Sequence, residues 1–89
     1  MEAKERLEGL GEALTAEGLR TRIPLEDPPL LHVVNPGAVM LKEVIGCVVG
    51  DDGELWFHWP MLDVLLGRAD DIASAVERIR FVLGGPGDG

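Results

Sequence analysis

Three side chains of this sequence could ligate a metal such as zinc: His32, Cys47 and His58. Imidazole and thiolate are ligands that zinc selects. Their spacing matches no zinc signature, so they would meet only if the strands carrying them aligned. No metal and no cofactor is expected. Two pairs of adjacent carboxylates, Asp51-Asp52 and Asp70-Asp71, are acid–base candidates. Adjacent residues do not converge on one substrate atom, and a turn and a helix cap account for the two pairs. Ser74, the only serine, falls inside a predicted helix, a poor place for a nucleophile. Tyr is absent, and no Gly-rich phosphate loop follows a strand. No triad, dyad or metal set is visible, so the sequence predicts no catalytic residue and no enzyme.

Recognition chemistry is better represented. In the run Glu54-Leu55-Trp56-Phe57-His58-Trp59, a period of two puts Leu55, Phe57 and Trp59 on one face. Trp56 and His58 fall on the other. In Leu19-Arg20-Thr21-Arg22-Ile23-Pro24-Leu25-Glu26, Leu19, Thr21, Ile23 and Leu25 alternate with Arg20, Arg22, Pro24 and Glu26. The more apolar set of each strand should face the core. Arg20, Arg22, Trp56 and His58 are then left on the opposite, outer face. Trp and Arg are the commonest binding anchors, so these four residues are the candidate partner-binding or dimer face. The competing explanation is a half-exposed sheet whose long side chains merely snorkel.

A hairpin must position the aromatic run. Lys42 to Val49 is rich in β-branched residues, and Gly50-Asp51-Asp52-Gly53 separates it from Glu54 to Trp59. Asp52-Gly53 could form a two-residue loop. Alternatively, Gly50 to Gly53 forms a type I turn with Gly53 left-handed, the three-residue loop with a bulge. Gly53 suits a positive φ. On that basis Gly53→Ala should cost more stability than Gly50→Ala.

The remaining elements surround this hairpin. Ala3, Leu7, Leu10 and Leu14 recur at helical spacing. Gly9 and Gly11 each weaken that helix by about 1 kcal/mol relative to Ala, so it depends on docking. Gly18 is its natural stop. The strand from Leu19 should lie at an edge, because Pro24 cannot donate to a ladder. Leu30 to Val34 is a second strand, ended by Asn35-Pro36-Gly37. Ala38 to Leu41 reads as a loop. Residues 60–69 form a connection with no assigned structure, apolar enough to pack. Asp70 caps a final helix whose stripe is Ile72, Val76, Ile79 and Leu83. Gly84 stops it, and residues 84–89 read as a disordered Gly-rich tail. The expected fold is α+β: a helix, a four-stranded antiparallel meander and a helix, with both helices on one face of the sheet. Residues 1–83 are expected to form a single domain.

Composition narrows the partners. The chain has 89 residues, 46% of them hydrophobic, and a formal net charge of -8. That charge argues against a nucleic-acid partner, which demands a basic face. It also argues against docking on an anionic membrane. Cys47 is the only cysteine, so no internal disulfide can form, and it reads as a small core residue. The charged N-terminus shows no signal peptide, and no apolar run reaches membrane-spanning length, so the cytoplasm is the expected compartment.

Val34-Asn35-Pro36, the run Trp56-Phe57-His58-Trp59 and Ala69-Asp70-Asp71 resemble landmarks of short actinobacterial α+β proteins of unassigned function. The resemblance spans about Leu19 to Leu83 and brings no catalytic residues with it. In element order alone the chain is similar to secretion-chaperone-like domains, which bind partner proteins and often dimerise. Double-stranded-RNA-binding domains also set strands between two helices, but the acidic charge weighs against that reading. The expectation is a non-enzymatic protein-binding or self-associating module using the outer face, with a protein partner or homodimer. The alternative is a small-molecule-binding protein using the same face or the gap beneath residues 60–69.

Overall fold

The computed structural model describes residues 2–26, 28–37 and 42–83. The expected loop at 38–41 and the expected tail at 84–89 lie outside the described residues. The elements are α1 (Glu2–Ala16), β1 (Arg20–Arg22), β2 (Leu31–Val34), β3 (Lys42–Val49), β4 (Leu55–Trp59), β5 (Val64–Arg68) and α2 (Ile72–Leu83). The fold is α+β with an antiparallel sheet in the order β1-β2-β3-β4-β5. No helix of the described residues is long and apolar enough to cross a membrane.

The expectation of four strands is corrected to five among the described residues. β5 comes from the stretch at 60–69 that carried no assignment. Asp63 accounts for the turn into it: φ is 53°, and its N–H donates to the Trp59 carbonyl at 2.8 Å. Asp is among the few side chains that tolerate this left-handed backbone. A bulge opposite Phe57/His58 then breaks the alternation of β5. Apolar residues consequently sit on both of its faces: Leu66 is buried, while Val64 and Leu65 are exposed. The packing expected of the connection holds for Leu66 and Ala69 but not for Met61 and Leu62, which are exposed.

α1 buries the expected leucines, Leu7, Leu10 and Leu14. Gly11 is buried too, and a Cβ there would stand 3.2 Å from Leu31 Cδ1 and 3.3 Å from Thr21 Oγ1. A residue that weakens the isolated helix thus lets it lie close on the sheet. At its end, Leu19 N–H donates to the Leu14 carbonyl at 3.1 Å and Gly18 N–H to that of Thr15 at 3.0 Å. This is the Schellman pattern, with Gly18 at a φ of 94°.

β1 is shorter than the sequence implied. Its ladder runs from Arg20 opposite Val34 to Arg22 opposite His32. Pro24 lacks an N–H, and the chain leaves the sheet before it. Leu25, expected among the core-facing residues, is fully exposed as a result. The cap of α2 also moves by one residue. Asp71, not Asp70, accepts the Ser74 N–H at 3.3 Å and the Ser74 hydroxyl at 2.8 Å. Asp70 instead faces Arg68 Nε at 3.5 Å.

One buried cluster joins Leu7, Leu10 and Leu14 of α1 to Ala75, Ile79 and Leu83 of α2. It also takes in Leu31, Val33, Ile45, Phe57, Trp59 and Leu66 of the sheet. α1 packs on β1, β2 and β3; α2 packs on β5 and on α1. Asn35 is the buried polar residue at its margin. Its side-chain amide donates to the Leu83 carbonyl at 2.8 Å, and its Oδ1 accepts the Gly37 N–H at 2.8 Å. It thereby ties the end of β2 to the last turn of α2, where a carbonyl lacks a helical partner. Asn35→Ala is expected to destabilise the protein by about 1–2 kcal/mol, because it strands that carbonyl. An unchanged urea midpoint for the folded variant would remove this role.

Candidate functional site

Register assigns every strand residue to a face. Val34, Arg20 and Lys42 lie side by side, as do His32, Arg22 and Val44. Gly46 opposes His58, and Val48 opposes Trp56, which opposes Arg68. These residues share the face away from Leu31, Ile45, Cys47 and Phe57. The four candidate residues Arg20, Arg22, Trp56 and His58 therefore do lie on one face. They are not, however, neighbours. β1 and β4 are three strand spacings apart, about 14 Å, and the Arg20 and Trp56 rows are offset by about 20 Å along β3. The arginines occupy one corner and Trp56 stands near the opposite one.

Each end has its own electrostatics. Arg20, Arg22 and Lys42 are exposed, and none has an ion pair among the described residues. Around Trp56 the charge is reversed. Its indole N–H donates to Asp52 Oδ1 at 3.0 Å, and the Glu54 backbone N–H donates to the same oxygen at 3.0 Å. The Trp56 bond first, and the Glu54 amide second, hold the Asp52 carboxyl below the usual carboxylate range. Arg68 bridges Glu54 at 3.3 Å and Asp70 at 3.5 Å. Two carboxylates thus flank the Arg68 guanidinium, and the Asp52 carboxylate feels its charge.

The centre is apolar. Val34, Val44, Val48, Trp56 and His58 are all half-buried. The His58 ring lies over Gly46, where a Cβ would stand 2.7 Å from His58 Cε1. His58 Nδ1 is buried and has no hydrogen-bond partner among the described residues. His32 Nε2 meets Glu26 Oε1 at 3.2 Å. At the basic end a groove of about 630 Å³ opens between Val34, Lys42 and Val44 of the sheet and Met61 and Leu62 of the β4–β5 turn. Arg22, His32, Val33 and Glu43 also border it, so the cations outnumber the one carboxylate of its lining.

The metal arrangement considered from the sequence does not assemble. His32 and His58 are on the outer face and Cys47 is on the core face, opposite Phe57. Burial raises the Cys47 thiol above its ordinary pKa, with a smaller lowering by the Arg6 charge and a smaller raising by that of Glu2. Among the described residues no three His, Cys, Asp or Glu side chains form a metal-holding group.

Sequence reading missed Lys42, Arg68, Met61 and Leu62 as parts of this face. Lys42 follows from the alternation of β3 once its register is known. Met61 and Leu62 gave no signal, because exposed apolar residues in a tight turn read like packed ones. A second exposed apolar surface, Phe81 and Val82 of α2 beside Trp59, was also not foreseen.

Together these features define a small α+β domain with a charge-divided, partly apolar sheet face. No protein-family model, curated protein or solved structure matches the chain.

Proposed function

We propose that this chain is a non-enzymatic association module of the cytoplasm that binds protein through the outer face of its sheet. In this reading both helices lie on the other face. The single buried cluster shared by α1, α2 and one set of strand residues supports that arrangement. The observation that carries the proposal is the composition of the outer face. Half-buried valines and a half-buried Trp56 lie between a corner of exposed cations and a carboxylate-rich end, an apolar patch with a polar rim as in a binding interface. Trp56 is pre-oriented by Asp52, so less side-chain freedom is lost on binding.

Trp56→Ala is expected to weaken association by about 2 kcal/mol or more, the hot-spot threshold. Because Trp56 also braces the β3–β4 turn, Val44→Asp serves as a second variant, remote from that turn. Sedimentation equilibrium reads both, with circular dichroism confirming the fold. If both folded variants associate as strongly as wild type, the outer face is not the interface.

The groove at Val34, Val44, Met61 and Leu62 supports a second reading, a small-molecule site. Its apolar walls and the nearby Arg22, Lys42 and His32 suit an amphipathic carboxylate. Native mass spectrometry of the purified protein tests it. A co-purifying acid lost in Val44→Asp would favour this reading; a ligand-free spectrum favours the first.

A further inference from the structure

We infer that the partner of the outer face is a second copy of this chain, packed sheet to sheet so that the Trp56 end of each copy meets the basic end of the other. This inference rests on the association reading above and specifies its partner and orientation.

Charge is the first argument. Two chains of net charge -8 repel each other over most of their surface. The outer face carries three exposed cations, Arg20, Arg22 and Lys42, without ion pairs among the described residues. Its other end carries a surplus of carboxylates, Asp52 bonded to Trp56 and Glu54 and Asp70 paired with Arg68. Contact energies decide here, because at physiological salt the net charges are screened beyond about 8 Å.

Shape is the second argument. A two-fold axis lying in the interface exchanges two points of a face that it bisects. The groove bordered by Val44 and Met61 is centred near the Lys42–Val44 end of β3, and Trp56 is beside Val48 at the other end. The separation is about 17 Å along the strands and about one strand spacing across them. An axis midway passes near Gly46 and His58. It seats each Trp56 in the other copy's groove, with Asp52 and Glu54 brought toward Lys42 and Arg20. Both contacts form twice. The small sideways offset keeps the strands of the two sheets within about 30° of each other, as in aligned sheet packing.

Size is the third. Five strands give a face about 24 Å wide, and such a patch buries on the order of 500–600 Å² per copy. The total falls at the lower end of specific interfaces, so the dimer should be reversible rather than obligate.

The test is charge exchange, read by sedimentation equilibrium at low and physiological salt. Lys42→Glu and Glu54→Arg should each weaken dimerisation at least tenfold, because each breaks both symmetric contacts. The chain carrying both substitutions should recover to within about threefold of wild type. An equimolar mixture of the two single variants should form heterodimer more tightly than either self-associates. Arg20→Glu repeats the test should Lys42→Glu fail to fold. If the singles weaken the dimer and the double does not recover, this orientation is wrong. If charge reversal has no effect while Val44→Asp abolishes the dimer, the face stands and this partner geometry falls. A wild-type chain that stays monomeric at millimolar concentration overturns the self-partner, and Trp56-dependent capture of another protein would then preserve the association reading alone.

Discussion

Phe57→Ala is expected to lower the free energy of unfolding by about 3–5 kcal/mol. Phe57 has no solvent exposure and is the largest fully buried side chain of the described residues. It stands at the centre of β4, opposite Cys47 on β3 and Gly67 on β5. Neither neighbour can fill the space left by the ring. Cys47 is small, and Gly67 has no side chain. The cavity would persist, and the cost of a large-to-small change rises with the volume that fails to collapse. A domain of this size has a total stability of about 5–15 kcal/mol, so the variant would be close to unfolding. Phe57→Leu, which keeps most of the volume, should lose much less. Equilibrium urea titration of both variants is the measurement. A loss below 1 kcal/mol for Phe57→Ala would mean that the two faces of the sheet are reversed.

The face assignment on which this rests was legible in the sequence, because β4 alternates without interruption. Phe57 and Trp59 went to the core and Trp56 and His58 to the other side by counting in twos. The same counting failed on β1 and β5, for different reasons. On β1 the alternation of side chains continued past the point where the ladder stops. Pro24 removes a donor, and Leu25 has the right parity but no sheet to face. On β5 a bulge resets the parity, so Val64, Leu65 and Leu66 read as a structureless apolar run. Asn35 was read as the start of a turn. Its buried bond to Leu83, 48 positions away, has no local signature.

The candidate site was legible in its members but not in its geometry. Arg20, Arg22, Trp56 and His58 share a face, as alternation required. Strand order decides how far apart they stand, and it placed two strands between the arginines and the aromatic residues. The neighbours that give Trp56 its environment, Asp52 and Arg68, come from a turn and from the strand that was missed.

That environment reverses one expectation. The turn is the three-residue form: Gly53 N–H donates to the Gly50 carbonyl at 3.0 Å, Gly50 N–H to that of Glu54 at 2.8 Å, and Gly53 has a φ of 80°. The left-handed backbone expected of Gly53 is therefore present, and Gly53→Ala should cost about 1–2 kcal/mol. A Cβ there meets nothing within 4 Å, so the backbone is the whole of the penalty. Gly50 has an ordinary φ, which made it look the safer site. A Cβ on Gly50, however, would stand 2.5 Å from Trp56 Cδ1 and 2.6 Å from Nε1. The indole is rigid and cannot yield by bending. It must swing away from the turn, which also breaks its bond to Asp52. Overpacking of this kind costs about 1–3 kcal/mol, and the lost hydrogen bond adds about 1 kcal/mol. Gly50→Ala should therefore destabilise by about 2–4 kcal/mol, more than Gly53→Ala. Urea midpoints rank the two variants, and indole fluorescence reports whether the ring has moved. In a Trp56→Ala background the cost of Gly50→Ala should nearly vanish, while that of Gly53→Ala should remain. If Gly50→Ala costs as much without the indole as with it, Trp56 does not brace this turn. The pre-orientation that makes it a ready anchor for a partner would then be lost as well.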